Sequence, residues 1–394
     1  MKTAETIRLE DAFQIPTYKK MPIALVRGEG CTVWDAEGKA YLDFYGGHCV
    51  TMLGHCPPRV VAAIQAQASA LMFYSNAVYS PVRAEAAALL ASMAPEGLSH
   101  VFFCNSGTEA NETALKLART WTGKTGVVAM DHGFHGRTLG SLAATWGANY
   151  RAPYAGILPE THFVPFGDFE ALTVIMAACK EDIAAIILEP IQSMAGVTEA
   201  PAAYFQQLRN LCDWHHVALI FDEVQTGVGR TGTFSISESF GMKPDMISLA
   251  KSLGSGVPVG AVLISDEIAG TVKYGDQGTT FGGGMLAMAA LKATLETIRD
   301  ENLMPRAARL FDRIEAGLRP HVVDVRGRGC LIGVVLSEPA APVLAALRNE
   351  GILAGSASDP NVIRLMPPLN TTDEAIDTMV EAFTRILSAA KQTA

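Results

Sequence analysis

Ala218-Leu219-Ile220-Phe221-Asp222 and Met246-Ile247-Ser248-Leu249-Ala250-Lys251 decide the reading of this chain. Both are short apolar runs, the pattern of strands buried on both faces of a parallel sheet. The first ends on a carboxylate. The second ends on an amine in a loop of small residues, Ala250, Ser252, Gly254 and Gly256. A charge at a strand exit is costly near a core unless it has a partner or a task. In open α/β sheets, ligands sit at strand exits.

The alternation continues on either side. Residues 101–104, 126–130, 184–188 and 257–265 read as strands, and 109–120, 204–215 and 285–299 as helices. This predicts a mainly parallel sheet of an α/β fold, covered on both faces. Nearer the N-terminus, Cys31 to Phe44 holds two alternating runs about a turn at Glu37-Gly38, a hairpin pattern. Residues 60–70 and 81–93 are helical, the second opened by Pro81. After residue 304 come a helix, short strands and a last helix over 372–391. The expected division is a large domain over 51–303, with 1–50 and 304–394 forming a smaller α+β domain.

Composition excludes several classes. The chain has 394 residues, 49% of them hydrophobic, enough for a sizeable core and against disorder. A net charge of -9 argues against nucleic acid as the main partner. The 7 cysteines are odd in number with no CxxC spacing, so neither a disulfide framework nor a zinc site is indicated. Residues 1–10 carry Lys2, Glu5, Arg8 and Glu10 and no apolar core, unlike a signal peptide. No window has the length and apolarity of a membrane span. A cytoplasmic setting is expected.

Three motifs invite a chemical reading. Asn105-Ser106-Gly107-Thr108 precedes a helix, where free N–H groups favour an anion; ordinary N-capping gives the same pattern. Asp131-His132-Gly133-Phe134-His135-Gly136-Arg137-Thr138 follows a strand. Its histidines lack partners at a metal-binding spacing, and Arg137 can fork onto a carboxylate. Gly227-Val228-Gly229-Arg230-Thr231-Gly232 matches GxGxxG, but no helix pattern follows: Thr233 to Ser237 alternates, so a dinucleotide site is rejected.

Asp222 and Lys251 remain. A lysine is ordinarily exposed. An amine in a small, apolar-walled loop is instead depressed in pKa and attacks carbonyls. A strand-end carboxylate pairs with a pyridinium nitrogen, and the helix start at residues 107–109 takes a phosphate. Those are the roles a protein supplies to pyridoxal 5'-phosphate.

The sequence resembles the class III (ω-type) pyridoxal-phosphate aminotransferases of fold type I, most of all the acetylornithine branch. The likeness runs through Trp34-Asp35, Tyr41-Leu42-Asp43-Phe44, Leu53-Gly54-His55-Cys56, Asn105 to Glu112, Phe134 to Thr138, Glu189-Pro190-Ile191-Gln192, Phe221 to Gly227, Ala250-Lys251 and Thr279-Thr280-Phe281-Gly282-Gly283. It implies a seven-stranded sheet in the large domain. It implies that Lys251 holds the cofactor covalently and moves the substrate proton, while Asp222 keeps the ring nitrogen protonated. Gln225 lies near the ring hydroxyl, Phe134 stacks on the ring, and Ser106, Gly107 and Thr108 hold the phosphate. Thr280 reaches the phosphate of the neighbouring subunit of a homodimer. Arg137, with Thr279 nearby, binds the donor's carboxylate, and Arg364 takes the α-carboxylate of glutamate or 2-oxoglutarate.

Three positions depart from the family pattern. Met194 stands where many relatives carry a glutamate that masks the second arginine. Gly284-Met285 replaces a common Asn-Pro. His48-Cys49 replaces small or aliphatic residues, which makes His48 a pocket candidate; a packed histidine is the alternative. The implied activity is transfer of the terminal amino group of N2-acetyl-L-ornithine to 2-oxoglutarate, by ping-pong, in arginine biosynthesis. Ornithine, 4-aminobutyrate and succinylated or carrier-bound donors are alternatives, as are an aminomutase and a non-enzymatic binding protein.

Overall fold

The computed structural model describes residues 1–393, the last four by backbone alone. At its centre is a seven-stranded sheet. Its spatial order is His100–Cys104, Gly260–Ile264, Met246–Leu249, Ala218–Asp222, Ile183–Leu188, Gly126–Met130, Thr161–Val164. Gly260–Ile264 is antiparallel to both neighbours, and the other pairings are parallel. That strand is shorter than expected, because Val257 and Pro258 belong to the loop leaving Lys251.

The central strands read as unbroken apolar runs because both faces are covered. Leu219, Phe221, Ile247 and Leu249 enter one core, while Ala218, Ile220 and Met246 enter the other. The second core is closed by helix Gly107–Thr122, through Ala110, Ala114, Leu117 and Ala118. Small alanines let that helix lie close to the sheet, so its N-terminus sits at the strand exits.

Both chain ends share a smaller sheet. Leu25–Glu29, Thr32–Asp35 and Ala40–Asp43 form an antiparallel meander, and Ile352–Leu353 adds in parallel to Ala40–Asp43. A further sheet holds Asp324–Arg328, Leu331–Val335, Val362–Leu365 and Gly355–Ser356. The alternating run after the GxGxxG match is not a strand. Ser235 caps a short 3-10 helix, Ile236–Phe240, and its backbone N–H donates in return to the Glu238 carboxylate. Among the described residues no helix is long and apolar enough to cross a membrane.

Candidate active site

Ser106, Gly107, Thr108, Phe134, Arg137, Asp222, Gln225 and Lys251 line one cavity of about 470 Å³ at the strand exits. They arrive on four segments, 106–108, 134–137, 222–225 and Lys251, each at the exit of a strand of the sheet behind them.

Asp222 is 4% exposed and firmly held. Its Oδ2 accepts from His135 Nδ1 at 2.8 Å and from Asn111 Nδ2 at 2.7 Å, and its Oδ1 accepts from Val224 N at 3.1 Å. Asn111 also donates to the His135 carbonyl at 2.7 Å, locking the two loops together. Three donors hold this buried carboxylate in one orientation.

Lys251 sits at φ 45°, a left-handed conformation that a side chain seldom adopts. Among the described residues no hydrogen bond or ion pair holds its amine. Burial pushes its pKa down and Arg364 adds to this, against the opposing fields of Cys49, Asp222 and Glu189. Such an amine is available as a nucleophile. Glu189 lies alongside and accepts from Phe134 N at 2.8 Å, which fixes the loop carrying Phe134. Burial, then the charge of Asp222, raises its carboxyl to about 7.

The candidate phosphate end is a helix N-terminus. Ser106 Oγ accepts from Glu109 N at 3.3 Å, so the ordinary capping reading holds. It does not exclude the other: among the described residues, the N–H groups of Gly107 and Thr108 have no protein acceptor. A Cβ at Gly107 would lie 2.8 Å from Val224 Cγ2, and one at Gly136 would lie 2.2 Å from Thr108 Oγ1. Only glycine leaves this cradle open. Gln225 Oε1 is buried with no partner. A carboxylate, a buried amine of depressed pKa, an anion cradle and an unsatisfied amide oxygen fit pyridoxal phosphate. When bound, that group supplies an aldehyde for amine condensation and a ring that accepts electrons from a broken C–H bond.

The remaining candidates, His48, Thr279, Thr280 and Arg364, are not among the residues that line this cavity. Arg364 and His48 meet at Tyr45: Arg364 Nη2 donates to Tyr45 Oη at 3.4 Å, and that oxygen contacts His48 Nδ1. Thr279 Oγ1 accepts from Asn105 Nδ2 at 3.3 Å, beside the phosphate loop rather than beside Arg137. Thr280 is exposed on the molecular surface and does not line the cavity. Arg137 lies over Tyr150, 3.7 Å from its centroid, and Phe134 meets the same ring edge-on at 6.3 Å.

Asn111, His135, Glu189, Tyr45 and Tyr150 carried no role on sequence grounds. His135 and Glu189 stand in quoted motifs, but their partners are distant in sequence. Arg230, inside the GxGxxG match, is fully buried. Its Nη1 donates to the carbonyls of Cys330, Met366 and Pro367, tying the loop after Asp222 to the C-terminal segment.

This fold and site define a class III aminotransferase, a pyridoxal-phosphate-dependent transaminase, and the family model for aminotransferase class-III matches residues 13–387. The chain belongs to that family. An acetylornithine aminotransferase of Methanopyrus kandleri is 44% identical over 373 residues, 94% of this chain and 95% of that one. A LysW-aminoadipate semialdehyde transaminase of Deinococcus radiodurans is 41% identical, covering 96% of this chain and 89% of that one. Among solved structures, an ornithine aminotransferase from Toxoplasma gondii with pyridoxal phosphate partially occupying its active site matches with a TM-score of 0.92. It is 30% identical and covers 98% of this chain and 96% of that one.

Proposed function

We propose that the enzyme moves the terminal amino group of N2-acetyl-L-ornithine to 2-oxoglutarate, a step of arginine biosynthesis. One observation supports the reading: among the described residues neither Arg137 nor Arg364 has a carboxylate partner. Arg137 lines the cavity and, among the described residues, rests on aromatic rings. Arg364 is buried among neutral acceptors, and its charge acts on Lys251. In this reading Arg137 takes the donor's distant carboxylate while the ω-amine faces Lys251. Arg364 takes the α-carboxylate of 2-oxoglutarate in the second half-reaction. Lys251 would hold the cofactor and move the substrate's proton, Asp222 would pair with its ring nitrogen, and Phe134 would cover its ring.

The working unit is a homodimer in this reading. Leu71, Met72, Phe73, Tyr74, Val78 and Tyr79 form an exposed apolar stretch, and Phe281 packs on Phe73 at 5.2 Å beside exposed Thr280. Such a stretch marks an association surface. The seven cysteines are unpaired, in keeping with a cytoplasmic enzyme. The Deinococcus relative favours a second reading, a carrier-bound aminoadipate-type donor.

The test is a half-reaction screen. Acetylornithine, ornithine, 4-aminobutyrate and a carrier-bound amine are added singly to the yellow enzyme, and bleaching is followed. Acetylornithine is expected to bleach it at the lowest concentration. Bleaching by another donor where acetylornithine fails would overturn the choice.

A further inference from the structure

Arg364 is 1% exposed, yet all its acceptors are neutral. Nε donates to the Ser356 carbonyl at 2.7 Å, Nη1 to Ser193 Oγ at 3.0 Å and Nη2 to Tyr45 Oη at 3.4 Å. Among the described residues no carboxylate pairs with it. A buried cation without a counter-ion draws in any carboxylate that reaches it. The ω-amine donor brings no carboxylate to this end, so the charge needs a partner that can come and go.

Tyr45 is built to be that partner. A Cβ at Gly355 would lie 2.0 Å from Tyr45 Cε2, so the ring sits directly on glycine backbone. Its hydroxyl bonds His48 Nδ1, with the rings edge-on at 5.0 Å. His48 is presented by an unusual turn. Gly46, Gly47, His48 and Cys49 have φ of 58°, 56°, 67° and 66°, a left-handed run in which two residues are not glycine. Asp43 holds it. Its Oδ1 accepts from Tyr45 N at 3.0 Å and Gly46 N at 2.9 Å, and its Oδ2 from Gly47 N at 2.9 Å and His55 Nε2 at 2.8 Å. Strain kept this firmly at side-chain-bearing positions marks a placed functional group.

The chemistry gives the bonds a direction. Burial, with the charges of Lys251 and Arg364, pushes His48 down to about 4, so its ring is neutral and Nδ1 accepts. Burial pushes Tyr45 up, so the phenol keeps its proton and donates it. The chain therefore runs from Arg364 Nη2–H to Tyr45 Oη, and from Tyr45 O–H to His48 Nδ1.

We propose that Tyr45 and His48 form a neutral gate on Arg364, occupying its Nη2 while the ω-amine donor is bound and yielding it to the α-carboxylate of the keto acid. The proposal rests on the ω-donor reading above. Both residues are specificity determinants, and neither touches the reacting carbon in this account.

Glutarate, a dicarboxylate that cannot react, is titrated calorimetrically into the holoenzyme, Tyr45→Phe and His48→Gly. Glycine suits the left-handed φ at 48, so the second variant removes the ring without strain. Tyr45→Phe should bind glutarate about tenfold tighter, the worth of one hydrogen bond to a charged group. His48→Gly should shift in the same direction by less. Bleaching by acetylornithine should shift far less than glutarate binding in Tyr45→Phe, because the donor leaves the Arg364–Tyr45 bond in place and its loss weighs equally on the free and donor-bound enzyme. Glutarate affinity unchanged in both variants, or both ligands weakened together as in a merely structural role, would overturn the gate. Tighter glutarate binding in variants that acetylornithine does not bleach would support the gate and count against the substrate assignment alone.

Discussion

Glu223→Gln should abolish a large part of the pH dependence of this enzyme's stability. Glu223 follows Asp222, is 1% exposed, and has no cation beside it among the described residues. Its carboxyl is held by Thr226 Oγ1 at 3.1 Å, Ile236 N at 3.0 Å and the Ser235 hydroxyl. Burial outweighs these donors and lifts it from 4.5 to about 7. The folded protein therefore binds this proton more tightly than the unfolded chain. Its stabilising effect is complete below pH 4.5 and is lost as pH rises through 7. At about 1.4 kcal/mol per pH unit, the loss is about 3 kcal/mol, most of it between pH 5 and pH 8. Glutamine has the same shape, accepts from Ile236 and Thr226, donates to Ser235, and does not titrate. Urea unfolding of the two holoenzymes at pH 5 and pH 8 measures the effect. Going to pH 8, the variant should gain about 2.5 kcal/mol on the parent. A difference that stays constant to within about 1 kcal/mol would refute the reasoning.

Gly107→Ala drives a Cβ against Val224 and narrows the phosphate cradle. Overpacking of about 1–3 kcal/mol predicts cofactor release about tenfold to a hundredfold easier, read by fluorescence titration of pyridoxal phosphate; unchanged affinity would show that the cradle lies elsewhere. Arg137→Gln should raise the KM of the donor about tenfold to a hundredfold and leave that of 2-oxoglutarate unchanged. An equal rise for both substrates would remove the division of labour between Arg137 and Arg364.

The sheet was legible because burial on both faces leaves no polar alternation, so Ala218–Asp222 and Met246–Leu249 stand out as apolar runs. Asp222 and Lys251 were legible because each charge breaks such a run. What holds them was not. His135 bonds Asp222 across a separation of 87 residues, and spacing within the His132–His135 loop says nothing of it. Arg230 was hidden in a glycine pattern whose apparent meaning was nucleotide binding, whereas the folded segment ties together carbonyls of residues 330, 366 and 367. The left-handed turn at 46–49 was invisible for a related reason: Gly46-Gly47 signals freedom, but only the Asp43 carboxylate, through its four donors, decides which conformation is taken.

These hidden contacts also explain how one cavity can serve two different substrates. Lys251 lies between opposed fields, with Asp222 and Glu189 raising the pKa of its amine and Arg364 lowering it. The carboxylate side is fixed: His135, Asn111 and Val224 commit Asp222, and Phe134 N commits Glu189. The guanidinium side is not. Among the described residues, Arg137 has only the faces of Phe134 and Tyr150, and Arg364 only hydroxyls and a carbonyl. Neutral partners satisfy geometry without cancelling charge, so both arginines remain able to exchange a protein oxygen or ring for a substrate carboxylate. A salt bridge at either position would need a charged competitor to break it. On the proposed assignment, the end of the site that holds Asp222 and Glu189 is fixed by committed bonds, and the end that would recognise carboxylates is kept open by uncommitted ones.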